Sequence, residues 1–448
     1  MTENIQEPSL LKKLFKIFLV FLLGFIVLLL YLSYQRSQRV EQILQEFKQS
    51  GYATSLKEIN EKYLLPSSTD NASLVIENAL TKLKEPEQKE DPNSKEKKEY
   101  IINVSNTLIQ PLSPGESLSE EAKTAIAKHL AQNEDAFKIL RQGLAMKQFR
   151  YCPDYTLGFN AKIPNLLGMR KITNLLMLKT LFHLENGESE EAIQSILEGF
   201  ALSHSFSNDP MLIMYMIQTA LIRANIESLE HLLNRMDISE KNNLEFSSLL
   251  QSLEEPESLG HSLETELCTG LDSFNQLALS PGGKISYLSG AVENDRIFYL
   301  ERMKTVIDNN YAPLQDRAKG IQDLSNMESE IENSSNLFHS ITQMLMPSFH
   351  KICATGLERI MILRNAQVAL AVERYRLANQ KLPEQLSELV PLYIKEELLL
   401  DLFDHKSIRY KKLSKGYLVY SVGEDTKDNE GKKKEKDKPY DLVFTVNR

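Results

Sequence analysis

The chain has 448 residues, is 42% hydrophobic and carries a formal net charge of −9. That length supports a sizeable core in roughly two or three subdomains, and the acidic balance argues against a general nucleic-acid surface, which needs a basic face to displace counterions. Three cysteines, Cys152, Cys268 and Cys353, exclude a multi-bridge disulfide scaffold, and 18 Gly, 16 Pro and no Trp fit a helical protein better than a β-sandwich.

From Ile17 to Tyr34 no side chain is ionisable, and the run of 18 residues spans roughly 27 Å as a helix, close to the hydrocarbon core of a bilayer. Lys12, Lys13 and Lys16 precede it and Arg36 and Arg39 follow. The slight excess of positive charge before the run favours an amino terminus left in the cytoplasm. The apolar stretch is too long for a secretory signal and passes straight into Tyr31, Leu32, Ser33 and Tyr34, which reads as an uncleaved signal-anchor over residues 14–35, with 1–13 as a cytoplasmic tail. Gly24-Phe25 is no prepilin cleavage site, because Leu29 stands where a glutamate is expected.

Val40, Ile43, Leu44 and Phe47 keep helical spacing beyond the span until Gly51. A short helix is expected from Ser55 to Tyr63 and another from Asn71, before a charged linker between Glu85 and Glu99; together these make a juxtamembrane region over 36–100. Residues 101–356 read as an α-helical bundle. Its expected helices are Ser119–Met146, Leu166–Leu184, Ser189–Phe206, Met211–Leu233, Ser239–Glu254, Leu259–Leu279, Glu293–Asn309 and Leu314–Ser340, with Ser280-Pro281-Gly282-Gly283 as the clearest turn. The piece around Gly187, Ala192, Ile196 and Gly199 looks like one tetratricopeptide-type hairpin, although no 34-residue period repeats three times, so the bundle is described as TPR-like.

Past Pro347 one more long helix leads to a change of grammar. Ile408–Lys412, Tyr417–Val422 and Leu442–Val446 read as three short antiparallel strands packed on a helix, a small α+β module over 357–448. The fold class is therefore mainly α, with an N-terminal transmembrane helix, a TPR-like ectodomain and a small C-terminal sheet.

The stretch Ala369–Asn379, Leu382-Pro383, Asp401-Leu402-Phe403-Asp404, Ile408-Arg409-Tyr410 and Tyr420–Asp425 resembles the globular part of type II secretion major pseudopilins. With Thr54–Tyr63, Asn71-Ala72 and the Gly187 hairpin, it is also similar to a large group of uncharacterised membrane-anchored proteins of planctomycetes and relatives. The resemblance implies a bacterial cell (inner) membrane protein with a periplasmic ectodomain, and implies calcium in the last loop, with Asp425, Asp428 and Asp441 as its carboxylates. Calcium takes six to eight oxygens, which clustered acids on a tight loop can help supply. The competing reading is a solvated loop pairing its own charges, since Lys427, Lys432, Lys433, Lys434, Lys436 and Lys438 nearly cancel its acids. In pseudopilins the membrane helix runs directly into this module, whereas here the whole bundle intervenes, which puts assembly into a pilus in doubt.

The sequence has no His-Glu-x-x-His, no Gly-x-Ser-x-Gly, and no earlier glycine before Pro281-Gly282-Gly283-Lys284 to make a phosphate loop. His183, His204 and His231 fall on the central helices and could meet, though a helix-borne histidine is more often structural. Tyr151-Cys152-Pro153-Asp154-Tyr155 either lines a groove or plugs the bundle end. The expected function is non-enzymatic binding or scaffolding: a lipid bilayer is contacted through residues 14–35, a protein partner by the helical ectodomain, and nucleic acid by neither. A secretion or pilus-like assembly component, and an enzyme whose site assembles from distant residues of the bundle, are the alternatives.

Overall fold

The computed structural model describes residues 10–85, 117–279, 290–333, 339–346, 348–433 and 440–448. The charged linker from Pro86 onward, the Ser280–Gly283 turn and three of the loop lysines, Lys434, Lys436 and Lys438, lie outside them. The chain is mainly helical.

Helix α1 (Leu10–Gln49) contains the only stretch among the described residues that is long and apolar enough to cross a membrane. From Leu14 to Tyr34 its apolar side chains are almost all exposed, and then its surroundings change without a break in the helix: Val40, Ile43 and Phe47 are buried. Their three-to-four spacing puts them on one face, which packs against α11 (Ala291–Tyr311). Arg39 pairs with Glu301 at 2.9 Å, and beyond the helix end Tyr52 stacks on Tyr311 and donates to Asp308.

Short helices α2 (Leu56–Lys62) and α3 (Ala72–Thr81) follow, begun by Ser55 and Asn71, whose side-chain oxygens accept from Glu58 N and Ser73 N. The single helix expected over Ser119–Met146 is two, α4 (Glu120–Gln132) and α5 (Glu134–Leu144). Asn133 breaks it: fully buried, its amide donates to His129 O and Lys84 O while its Oδ1 accepts from Lys84 N, so the side chain competes with the helical ladder. The central trio α6 (Leu166–Glu185), α7 (Ser189–His204) and α8 (Leu212–Leu233) runs antiparallel through the short breaks read from the sequence. Gly199 lets α7 and α8 approach, since a side chain there would collide with Asn225.

Helices α9 (Glu240–Ser252), α10 (Ser258–Leu279), α11, α12 (Leu314–Asn333) and the short α13 (Ser340–Leu345) complete the bundle before α14 (Phe349–Asn379). Arg359 of α14 is fully buried; it donates to Gln218 and to Leu253 O and lies over the Tyr215 ring, tying α14 to α8 and the α9–α10 turn.

The sheet is β1 (Arg409–Lys412), β2 (Tyr417–Ser421) and β3 (Leu442–Val446), antiparallel in that order, with Val419 opposite both Tyr410 and Phe444. Its buried face rests on α14, where the Tyr417 hydroxyl reaches Ala369 O and Glu373. One hydrophobic core runs from Val40 of α1 to Val446 of β3, so bundle and sheet share an interior. The expected boundary at 356/357 falls inside α14. A second core gathers α2, α3, α5, α6 and the loop at 151–155.

Candidate functional site

Asp209, in the α7–α8 connection, is 3% exposed. Its carboxylate accepts from the Tyr151 backbone at 2.6 Å, the Cys152 backbone at 3.2 Å and the Tyr155 hydroxyl at 2.7 Å. Burial raises its pKa above the usual carboxylate range, against the lowering effect of those donors. Arg150 lies over the Tyr155 ring and donates to Cys152 O and Asn60, while its backbone N–H donates to Asn71 Oδ1 and its carbonyl accepts from the Asn71 amide. Tyr151 stacks on Phe206 and bonds Ser205 through its hydroxyl. The aromatic loop therefore plugs the bundle. Cys152 is buried with its thiol pushed up to about 11, chiefly by desolvation, and so is a poor nucleophile.

Beside this plug opens a cleft of about 520 Å³, walled by residues 62–66 at the end of α2, residues 147–150 and Asn208. That volume is within the range of small-ligand or peptide sites. Lys62, Lys147 and Arg150 are its charged lining, with no acidic side chain among it, and Leu64, Leu65 and Phe149 supply apolar wall. Leu64 is 80% exposed, an apolar side chain left without cover. Lys62 has Glu264 at 3.6 Å behind it, whereas Lys147 is exposed. Sequence reasoning missed these residues; the available signals were Leu64-Leu65-Pro66, an apolar pair outside any helical period, and the basic-apolar run Lys147–Arg150.

The calcium candidates share one loop. The Asn429 side chain lies 3.3 Å from Asp425 and 3.5 Å from Asp441, bridging the two. Asp441 also accepts from the backbones of Asn429 and Gly431, Asp428 from Glu430 N and the Tyr420 hydroxyl, and Asp425 from Lys427 N. Among the described residues no group of three metal-ligating side chains converges. Asp401 serves the turn before β1, accepting from Phe403 N, Val422 N and Ser421, with Arg409 at 3.0 Å.

The central histidines stand apart. His183, at the end of α6, contacts Glu188 at 2.5 Å; His204, at the far end of α7, contacts Ser207 at 3.0 Å. A helix of 16 residues separates those two ends, roughly 24 Å. His231, near the α6–α7 turn end, is held neutral with a pKa near 4 by burial and by Arg235 and Lys433.

Comparison with protein-family models, with curated proteins and with solved structures finds no match to this chain.

Proposed function

We propose that this is a single-pass membrane protein, amino terminus cytoplasmic and body periplasmic, that binds an acidic, apolar-bearing protein segment in the cleft between residues 62–66 and 147–150. The observation that carries the membrane part of this reading is the unbroken passage of α1 from an exposed apolar stretch into the hydrophobic core of the body, and exposed Lys147 beside exposed Leu64 in the cleft supports the binding part. From Tyr34 to the helix end at Gln49 is roughly 22 Å, so the cleft, beyond α2, stands clear of the lipid and faces a soluble or peripheral partner. Exposed Lys147 supplies the selectivity for acidic residues, since Arg150 is buried and held by Cys152 O and Asn60 and Lys62 has Glu264 behind it.

A photo-crosslinking amino acid at Phe149 in cells is expected to trap one discrete adduct, and K147E to remove it. Absence of any adduct that K147E abolishes would overturn the binding role, and release of the protein from membranes by alkaline extraction would overturn the anchor. A component of a secretion assembly is less well supported, because α1 packs on α11 while the sheet packs on α14, leaving the membrane helix and the sheet's helix as separate elements. A calcium role in the last loop rests on the shared loop of Asp425, Asp428 and Asp441, and the Asn429 amide N–H that donates to Asp425 and Asp441 would have to give way to the ion. A calcium-dependent rise in melting temperature that D441N abolishes is its test.

A further inference from the structure

Four apolar side chains are exposed within eleven residues on the α10 side of the body: Leu157 at 50%, Phe159 at 70%, Ile163 at 44% and Leu167 at 62%. The segment is held firmly. Asp154 caps its first turn through Thr156 N, and Gly158 supplies a φ of +53° that side-chain-bearing residues rarely adopt, beside Leu56 and Asp272. Such an exposed set on a rigid support marks an interaction surface.

Its height above the bilayer follows from helix pairing. Helices α10 and α11 run antiparallel, with Gly270 against Tyr299 and Gly260 against Tyr311, so the α10 end at Leu279 is level with Gly290. Gly290 packs against the Arg36 guanidinium, two residues past Tyr34, where the apolar span ends. Gly158 sits beside Thr269 and Asp272, roughly 10–15 Å along the axis from that end. The headgroup layer reaches roughly 5–8 Å above the hydrocarbon. Membrane helices tilt by about 20° on average, and about three interhelical spacings of 8–10 Å separate the segment from α1. A tilt toward this side lowers it by about 8–10 Å, into the headgroups. Exposed Lys162 and Arg170, the latter one turn from Leu167, add the basic component that anionic lipid attracts, offset in part by Glu77, 3.3 Å from Lys162, and by Asp272.

We propose that the edge at residues 157–167 rests in the headgroup layer of the same bilayer that α1 crosses, a second membrane contact that sets the tilt of the molecule. This inference rests on α1 spanning the bilayer. The test uses the full chain in vesicles of phosphatidylcholine and phosphatidylglycerol, with a bimane probe placed singly by F25C, F159C, L167C or L392C and quenched by spin-labelled lipid; Leu392, the reference, is exposed beside Tyr393, whose carbonyl accepts from Arg374 near the C-terminal end of α14. The native cysteines are buried and leave the labelling selective. Quenching at 159 and 167 is expected to exceed that at 392 by about threefold, and F159D is expected to reduce it at 167 without releasing the protein. Quenching at 25 with none above the 392 level at 159 and 167 overturns this contact alone; no quenching at 25 overturns the anchor with it. All four variants alter exposed side chains, and unchanged melting curves establish that each is folded.

Discussion

Asp209 satisfies two backbone N–H groups and one hydroxyl while almost fully buried. Asp209→Ala is expected to cost about 2–4 kcal/mol, read by chemical denaturation, because buried donors are left unpaired. The same substitution should make Cys152 reactive toward a thiol reagent in the native state. A second residue gives a pH dependence. Burial raises the pKa of Glu266 from 4.5 to about 7. The folded state thus holds the proton more tightly than the unfolded chain. Its contribution is full below about pH 4.5 and lost as pH rises through about 7, which amounts to roughly 1–3 kcal/mol. Melting temperature should fall across that window in the parent and flatten in Glu266→Gln. Little at this scale was legible in the sequence. Asp209-Pro210 reads locally as a helix break, and its bond to the 151–155 loop crosses more than fifty positions, a distance no periodicity reports.

The helices are another matter, because burial against a neighbour imposes a three-to-four spacing that the sequence displays. Leu166–Glu185, Ser189–His204 and Leu212–Leu233 were visible in this way, as were all three strands, whose β-formers are bounded by turn residues. The break at Asn133 was hidden, since its cause is a partner, Lys84, from outside the helix. So was the treatment of the β3 edge. Glu230 of α8 accepts from Thr445 N at 2.7 Å; Asn234 donates to Thr445 O at 2.7 Å and accepts from Asn447 N at 2.6 Å. Two side chains on successive helical turns thus stand in for a fourth strand and close an edge that would otherwise recruit another chain. Asn234→Ala is expected to cost about 1–3 kcal/mol and to speed amide exchange at Asn447, with Glu230→Ala doing the same at Thr445. Together they should be less than additive, because they close one edge.

Across the whole molecule the shared interior outweighs the divisions read from the sequence. A fragment ending at Gly356 would keep only the first turns of α14 and leave α8 and α9 without the helix they pack on. We expect it to aggregate or remain unfolded by circular dichroism, whereas an independent bundle would fold. Ile43 and Phe47 belong to the same interior although they sit on the helix that carries the long apolar stretch. Phe47→Ala should cost about 3–5 kcal/mol in the melting of the body, far from any lipid. The spacing of Val40, Ile43 and Phe47 made their helix legible, but not its partner α11, which follows almost 250 positions later.

That α1 enters the body with neither a hinge nor a linker has a mechanical result. On the proposed anchoring and binding role, spin of the apolar rod about its own axis turns the cleft by the same angle, and the cleft cannot swing independently to meet an approaching molecule. Encounters then depend on diffusion and rotation in the plane of the sheet and on the altitude at which the other chain presents itself. A flexible glycine-serine spacer inserted after Gln35 would add that missing freedom, and any change in capture efficiency would measure how much the fixed bearing is worth.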